Sequence, residues 1–176
     1  MRNRKTELII IFLTTLFVIA GILIMFGGNL FSGLNSKIRS DVTVMPEATS
    51  VTAEIKKGTV VEQTFRCDAS SISKIGIVFT KEYDAGNSSV KLELYEGNNL
   101  IASNTYTVSS VPDQHRTYLI PDKPISSAKG KKYTLKICSA NESDTGLKLM
   151  ASYKVKSTYK FGNKDVKGTI CFSVTE

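Results

Sequence analysis

The chain has 176 residues, of which 41% are hydrophobic and 22% charged, a balance typical of one globular domain with an appendage and not of a disordered tail. The net charge is +7, but five basic and two acidic side chains lie in the first 44 residues, and eighteen and fourteen lie in the rest, so the body carries only +4. This mild charge, together with the absence of a recognisable reading motif, argues against a nucleic-acid-binding protein.

The N-terminal part is dominated by an apolar segment. Residues 8–26 are LIIIFLTTLFVIAGILIMF, without a charge, and the uncharged stretch continues to Ser36. Because about 20 apolar residues cross a hydrocarbon layer of roughly 30 Å, we predict a single transmembrane helix over residues 8–31. Arg2, Arg4 and Lys5 precede it, and the positive-inside bias then places residues 1–7 in the cytoplasm and the body outside it, tethered to the cell membrane.

Two other interpretations of this segment fit the sequence less well. A cleaved signal peptide has a shorter apolar region that ends at small residues in an A-x-A-like pattern, whereas MFGGNLFSG offers no clear cleavage site. A type IV pilin carries a glutamate near the start of its helix, as Glu7 does here, but RKTELIII lacks a glycine after which to cut. We therefore expect an uncleaved anchor.

The rest of the chain divides into a connector and a β-rich body. Residues 32–57 are rich in Gly, Ser, Thr and Asn and have no sustained apolar period, which favours a juxtamembrane connector, part of which can be helical or pair as a strand. Residues 58–176 change to short runs with period-two alternation, which is typical of an all-β sandwich or barrel. We predict about eight strands, in TVVEQTFRC, KIGIVF, SVKLELY, LIASNTYTV, HRTYLI, KKYTLKIC, GLKLMASYKV and GTICFSVT.

Alternation also assigns the two faces of several strands. In an antiparallel sandwich one face packs on the core and the other is solvated. In the last strand we expect Thr169, Cys171 and Ser173 at the surface, opposite the hydrophobic face. The residues predicted to be buried are Val90, Leu92 and Leu94, then Tyr133, Leu135 and Ile137, and finally Ile170, Phe172 and Val174.

Four segments of the body carry a resemblance: VVEQTFRC, ISKIGIVF, SVKLELYEGNNLIAS and PISSAKGKKYTLKICSA. Together they span roughly residues 59–153. On these segments the body resembles the jelly-roll-like, galactose-binding-like β-sandwich module that recurs in extracytoplasmic regions of bacterial membrane proteins linked to surface polysaccharide assembly. The resemblance implies an antiparallel jelly-roll-like sandwich at the cell surface that contacts glycans, and it transfers no catalytic residue.

The three cysteines, Cys67, Cys138 and Cys171, lie far apart without a CxxC pair. This spacing supports neither a zinc site nor a redox motif, and an odd count excludes a fully paired disulfide framework. Free cysteines that act as small buried hydrophobes are the simplest interpretation. A disulfide between Cys138 and Cys171, whose parity places both on an outer face, is the alternative.

No group of residues has the arrangement of an active site. The single histidine, His115, lies in PDQHRTY without a nucleophile motif and is expected in an exposed turn. The loops DAGN (84–87) and NESD (141–144) carry oxygen ligands that Ca²⁺ accepts, but their length and order fit turn chemistry better. We predict no catalytic residue, no metal and no cofactor, so that the protein is not an enzyme.

Two tyrosines are candidates for carbohydrate binding. Sugar sites commonly place a flat aromatic ring against the apolar face of a pyranose and add a few polar groups. The chain has no tryptophan, so the candidate rings are tyrosines: Tyr83, Tyr95, Tyr106 and Tyr159. Of these, Tyr95 and Tyr159 are the predicted carbohydrate-binding residues. Core packing or a hairpin edge would explain each tyrosine equally well.

A set of lysines is the candidate for polyanion binding. In SYKVKSTYKFGNKDVKG, Lys154, Lys156 and Lys160 fall on one side of an extended chain, and Lys132 and Lys136 extend the set. Such a row would attract anionic wall polymer or anionic lipid headgroups. A solvated strand face explains the same spacing.

These patterns predict a membrane-anchored, non-catalytic extracytoplasmic β-sandwich that binds an envelope glycan or an anionic polymer. Its expected partners are the lipid bilayer, through the N-terminal helix, and surface glycan or anionic wall polymer, with no nucleic acid. The alternative is a docking subunit of a membrane-bound envelope-assembly or secretion complex, whose partner is another membrane protein.

Overall fold

The computed structural model describes residues 45–141 and 143–176, which belong to one compact unit, Asp41–Glu176. Within the described residues, no helix is long and apolar enough to span a membrane. The predicted cytoplasmic tail (1–7), the predicted span (8–31) and the first part of the predicted connector lie outside them.

The described part of the chain is built from β-strands, with one 3₁₀ turn at Val108–Ser110. It contains twelve strands, more than the eight predicted. They are β1 (Ser50–Val51), β2 (Val60–Arg66), β3 (Lys74–Lys81), β4 (Ser89–Glu96), β5 (Asn99–Thr107), β6 (Arg116–Leu119), β7 (Lys132–Ser139), β8 (Leu147–Ser152), β9 (Thr158–Phe161), β10 (Lys164–Lys167), β11 (Thr169–Ile170) and β12 (Phe172–Thr175).

The strands form two six-stranded sheets, and every strand pair is antiparallel. Sheet I has the order β1-β8-β3-β12, with β11 paired to β8 and β6 paired to β3. Sheet II has the order β10-β9-β2-β7-β4-β5. The all-β, sandwich-like architecture predicted from the alternation is confirmed.

The differences in strand number have local causes. The hairpin of β9 and β10, in TYKFGNKDVK, lies at the edge of sheet II, and its mostly exposed residues do not show the apolar alternation of a core strand. The last predicted strand is divided at Cys171 into β11, which pairs with β8, and β12, which pairs with β3. An edge hairpin and a strand that changes partner both weaken the sequence pattern.

The core lies between the two sheets, where the predicted hydrophobic triplets are confirmed as buried. Those of β4 and β7 are fully buried, and Ile170, Phe172 and Val174 are at most 5% exposed. Contact between the sheets is direct, since the ring centroids of Phe65 and Phe172 are 4.8 Å apart.

The outward assignment at the end of the chain is wrong, because Thr169, Cys171 and Ser173 are all buried. Thr169 is buried because its Oγ1 donates to Gln63 Oε1 of sheet II at 3.0 Å, whereas Cys171 and Ser173 lie where the outer face of sheet I is covered. Cys171 Sγ donates to the carbonyl oxygen of Pro46 at 3.4 Å, and Ser173 packs so closely on Gly76 that a Cβ added there would lie 3.0 Å from Ser173 Oγ. Parity separates the two faces of a strand, but it does not reveal that both are covered.

The three cysteines are free, which excludes the disulfide between Cys138 and Cys171. Cys138 lies on β7 of sheet II, whereas Cys171 lies between β11 and β12 of sheet I. The two cysteines have the same parity in the sequence pattern, but they lie on different sheets. Equal parity therefore does not bring them together.

The last part of the predicted connector belongs to the sandwich. Strand β1 pairs with β8, and Ile55 is fully buried, with its amide donating to the Leu147 carbonyl at 2.8 Å. Only two residues are paired in β1, so no alternation marks this strand in the sequence.

The two ends of the sandwich differ in what they carry. At one end, called the N-terminal end, lie the start of the described chain at Met45, the loop 153–157 and the end of β2 at Arg66. At the opposite end, called the far end, lie Gly58 and the loop that follows β7. The register of β2 with β7 and β9 fixes this orientation.

Candidate functional site

The outer face of sheet II carries a row of alternating charges. Asp165 on β10 lies opposite Lys160 on β9, and Lys160 lies opposite Glu62 on β2. Glu62 in turn faces Lys136 on β7, which faces Glu93 on β4. Directly opposed residues of antiparallel strands share one face, and opposite charges there attract each other. These five residues are called the charge row.

Short ion pairs hold three members of the charge row, Glu62, Lys136 and Glu93, in place. Lys136 Nζ is 2.8 Å from Glu62 Oε1, and Lys91 Nζ is 2.8 Å from Glu93 Oε1. The hydrogen bond that Lys136 donates to Glu62 raises the pKa of Lys136, and the hydrogen bond that Lys91 donates to Glu93 raises the pKa of Lys91. Both ammonium groups therefore stay charged at neutral pH and are matched by carboxylates.

Tyr95 lies beside the charge row at the end of β4. Its hydroxyl donates to Glu93 Oε2 at 3.1 Å, and Lys136 Nζ lies 5.0 Å from the ring centroid, within the range of a cation–π contact. Burial, followed by the hydrogen bond to Glu93, raises the pKa of Tyr95, so the phenol stays protonated. Because Lys136 lies over one face of the ring, Tyr95 forms a fixed aromatic wall, and that face is not open for stacking.

A groove of about 560 Å³ runs over this face. Its volume is within the usual range of small-ligand sites. Two carboxylates and two ammonium groups line it, so its formal charge is zero, and hydroxyl and amide groups complete a strongly polar lining. The lining residues are Glu62, Thr64, Tyr95, Gly97, Asn98, Thr134, Lys136, Thr158, Tyr159, Lys160 and Asp165.

The turn between β4 and β5 closes the groove at the N-terminal end. It is a two-residue loop, Gly97–Asn98, and Gly97 has a φ of 61°. A positive φ at the first position of such a loop is the geometry of a type II′ hairpin turn, which glycine adopts without strain. The sequence YEGNNL thus fixes the position of one wall.

The two candidate tyrosines have different environments. Tyr95 is half-buried on the outer face, as its parity predicts. Tyr159 is only 3% exposed and belongs to the core. Burial, followed by the influence of Tyr153, raises the pKa of Tyr159 to about 12. Tyr159 therefore contributes to the wall of the groove but presents no ring face to a sugar.

The candidate lysines do not form one row. Strand β8 ends at Ser152 and the chain bends before β9, so Lys154 and Lys156 lie in a loop while Lys160 lies on a strand. The assumption of one extended chain is wrong there. Lys136 and Lys160 meet in the groove, each opposite carboxylates, and Lys132 lies at the start of β7, exposed and opposite Arg66.

Several groove residues were missed from the sequence, above all Glu62, Asp165 and Thr134. Period-two alternation places Glu62 and Thr134 on outer faces, but it does not show which strands are neighbours. Thr64 Oγ1 and Thr134 Oγ1 lie 3.1 Å apart although the two residues are 70 positions apart in the chain. Only strand pairing brings such residues into one site.

The loops considered for Ca²⁺ use side-chain oxygens to accept backbone hydrogen bonds, within the turn at Asp84 and from distant segments at Asn141 and Asp144. Asp84 Oδ1 accepts from the Gly86 amide at 3.1 Å, Asn141 Oδ1 accepts from the Ser89 amide at 2.9 Å, and Asp144 Oδ1 accepts from the Lys57 amide at 3.0 Å. Within residues 45–141 and 143–176, no group of three or more His, Cys, Asp or Glu side chains is placed to hold a metal ion.

His115 lies in an exposed turn, as its surroundings in the sequence predict. Its Nδ1 is 2.8 Å from the Asp113 carbonyl oxygen.

Comparison with known proteins gives a family but no activity. A family model described as "Family of unknown function (DUF8345)" matches residues 52–159, more than half of the chain. The matched region contains most of the groove, while Lys160 and Asp165 lie just beyond it. No curated protein matches the chain.

Proposed function

The chain belongs to DUF8345, a family of unknown function, and from that premise we propose that it is a membrane-anchored, non-catalytic extracytoplasmic module that binds envelope glycan in the groove of sheet II. The observation that carries the proposal is the lining of this groove. It combines a fixed aromatic wall at Tyr95 with carboxylates and ammonium groups that cancel in charge. A sugar chain offers hydroxyls that both donate and accept hydrogen bonds, so it fits this alternation of acceptors and donors.

The charge balance favours a neutral glycan over an anionic polymer at this site. A polyanion approaching Lys136 also meets Glu62 and Glu93, and at Lys160 it meets Glu62 and Asp165. Like charges directly opposite one another are destabilising. Because Lys91 pairs with Glu93, the three carboxylates on this face are matched by three lysines. The repulsion of a polyanion by the carboxylates therefore offsets its attraction to the lysines, whereas a neutral polyhydroxyl ligand experiences no such conflict.

The location and the absence of catalysis belong to the same proposal. The apolar stretch of residues 8–31 and its basic flank support an anchor with the domain outside the cytoplasm. The galactose-binding-like resemblance of residues 59–153 supports the same class of ligand. The groove offers binding groups: the short Glu62–Lys136 contact occupies one of its two carboxylates, and the neighbouring Glu93 accepts a hydrogen bond from Tyr95.

The test is glycan binding by the full chain in lipid nanodiscs, screened on neutral and anionic glycans and followed by calorimetry. Replacing Tyr95 by alanine removes the aromatic wall, and we expect binding to fall by about tenfold, as loss of one central aromatic contact commonly does. Tyr118→Ala is a matched control, because Tyr118 lies on β6 of the other sheet with Lys74 Nζ 4.7 Å from its ring centroid. It should bind like the wild type.

Two outcomes would contradict the proposal. Equal losses for Tyr95→Ala and Tyr118→Ala would place binding elsewhere or show a general loss of stability. If the chain binds no glycan and co-purifies with another membrane protein, the docking-subunit alternative is favoured.

A further inference from the structure

The loop between β8 and β9 presents hydrophobic and basic side chains together. Tyr153 is 55% exposed and Val155 is 40% exposed, two of the six large hydrophobic side chains that are exposed among the described residues. Lys154 and Lys156 follow them in alternation and are also exposed. Lys167 at the end of β10 shares a shallow groove with Tyr153, Val155 and Lys156. We call these five residues the basic-aromatic patch.

The basic-aromatic patch is held by specific contacts. The Tyr153 amide donates to Thr49 Oγ1 at 3.0 Å, and Lys154 Nζ is 2.7 Å from Glu47 Oε2. The Tyr153 ring packs on Gly168, where an added Cβ would lie 2.9 Å from Tyr153 Cδ1. Tyr153 is therefore held in an exposed position by the Thr49 hydroxyl and by Gly168.

The position of the patch relates it to the predicted anchor. Glu47 and Thr49, which contact the loop, lie near the start of the described chain, and Pro46 lines an apolar groove together with Val155. The predicted span ends at residue 31, so residues 32–44 separate it from Met45. Even fully extended, these residues reach roughly 45 Å. These residues join the described part of the domain at Met45, which lies at the end that carries the patch.

We propose that the basic-aromatic patch docks the N-terminal end of the sandwich on the anionic lipid surface of the membrane that holds the anchor. Aromatic side chains favour the headgroup region of a bilayer. Lys154 is paired with Glu47, whereas Lys156 and Lys167 form no ion pair among the described residues, and such lysines gain attraction to the phosphates of an anionic surface. The inference rests on the membrane anchor of the proposed function. It leaves the groove of sheet II, on a face between the two ends, open to glycan.

The lipid bilayer fits the patch better than a second protein does. The patch is small, its cations alternate with hydrophobic side chains, and the described chain begins at this same end of the domain, where the predicted anchor would be attached. Interfacial binding of this kind combines limited apolar burial with attraction to anionic lipid.

The experiment uses the absence of tryptophan from the chain. Tyr153→Trp places a single tryptophan in the patch, and Tyr83→Trp places one at the far end, where Tyr83 is 47% exposed and contacts Gly146. Each full-length variant is reconstituted in phosphatidylcholine vesicles that contain brominated lipid, with or without phosphatidylglycerol. We expect bromine to quench Tyr153→Trp strongly when phosphatidylglycerol is present and to leave Tyr83→Trp unquenched.

A charge reversal on one strand tests the electrostatic part. Adding Lys167→Glu to Tyr153→Trp should reduce the docked fraction about tenfold relative to the undocked fraction, because each basic residue near an anionic membrane contributes attraction. Lys164→Glu on the same strand is the control. Lys164 is exposed at the far end of β10, opposite Phe161, and its reversal should leave quenching unchanged.

Several results would overturn the proposal. Quenching that is absent from Tyr153→Trp, equal at the two ends, or independent of phosphatidylglycerol would show that the patch does not dock on anionic lipid, and Val155→Trp repeats the test should Tyr153→Trp fail to fold. An alkaline carbonate wash separates the proposed anchor from the proposed docking. If the chain stays in the vesicles but shows no quenching, the anchor is supported and only the docking is contradicted. If the chain is washed off, the anchor is contradicted, and the docking that rests on it is contradicted too. Glycan binding is tested independently by Tyr95→Ala.

Discussion

The outer faces of the two sheets have different environments, although hydrophobic residues alternate with small or polar ones both in β4 and β7 of sheet II and in β12 of sheet I. On sheet II, Lys136 and Glu93 meet on a solvated face and form part of the charge row. On sheet I, Ser173 is fully buried beside its partner Gly76 on β3, where the side chains of Arg116 and Tyr118 also lie close. The comparison shows that small or polar residues at alternate positions are compatible with a wet face or with a closely covered one. A run of charged residues, in contrast, marks a face that must stay in water, because burying an unpaired charge is costly.

The largest expected difference is in the free energy of unfolding when a lysine is placed on the outer face of each sheet. Ser173→Lys forces a charge into a fully buried site, and we expect a loss of stability of at least about 4 kcal/mol, enough to unfold a marginal domain. Ser103→Lys extends the charge row opposite Glu93 on β5 and should change stability by no more than about 0.5 kcal/mol. Urea unfolding of both variants measures the two effects, and similar losses would show that the outer face of sheet I is not closed.

Replacing a buried side chain by alanine should lower the stability by a similar amount on the inner face of either sheet. Leu135→Ala on β7 of sheet II and Ile77→Ala on β3 of sheet I each remove a fully buried side chain from the shared core. We expect each to cost about 2–5 kcal/mol through lost burial and the cavity left behind. Thermal unfolding monitored by circular dichroism is the measurement. A cost at one position only would mean that the two sheets do not share one core.

The cysteines give a smaller contrast between the same faces. Cys171→Ser puts a hydroxyl into a buried site of sheet I and should cost about 1–2 kcal/mol. Cys138→Ser on the half-buried outer face of sheet II should cost less than about 0.5 kcal/mol. Burial raises the pKa of Cys171 to about 11, so its thiol should also resist alkylation at pH 8 in the folded protein. Equal melting shifts, or rapid alkylation of Cys171, would be inconsistent with its covered position.

The smallest expected effect is a pH dependence at the C-terminus. Glu176 Oε1 accepts hydrogen bonds from the Ser70 amide at 2.6 Å and the Ser70 hydroxyl at 2.9 Å, which link the end of sheet I to the loop after β2. These bonds lower the pKa of Glu176 from its ordinary value in the folded state. Their contribution is therefore complete above the unfolded pKa and is lost as the pH falls through the folded pKa.

Melting curves of the wild type and Glu176→Gln at several pH values check this sign. The wild type should melt slightly higher at pH 7, and the difference should vanish in acid. A difference that grew as the pH fell would contradict the depressed pKa.

The sequence by itself determined the all-β class, most strand positions and the inward triplets, because side chains alternate between the faces of a strand with a fixed period of two. It also indicated Tyr95 and Lys136 as outward residues. Tertiary structure alone decided which strands are neighbours, and so it decided that Lys136 lies opposite Glu62, that Lys160 lies opposite Asp165, and that Tyr159 belongs to the core. The physical reason is that period-two patterning is a local property of each strand, whereas a site on the face of a sheet is made by register between strands distant in the chain.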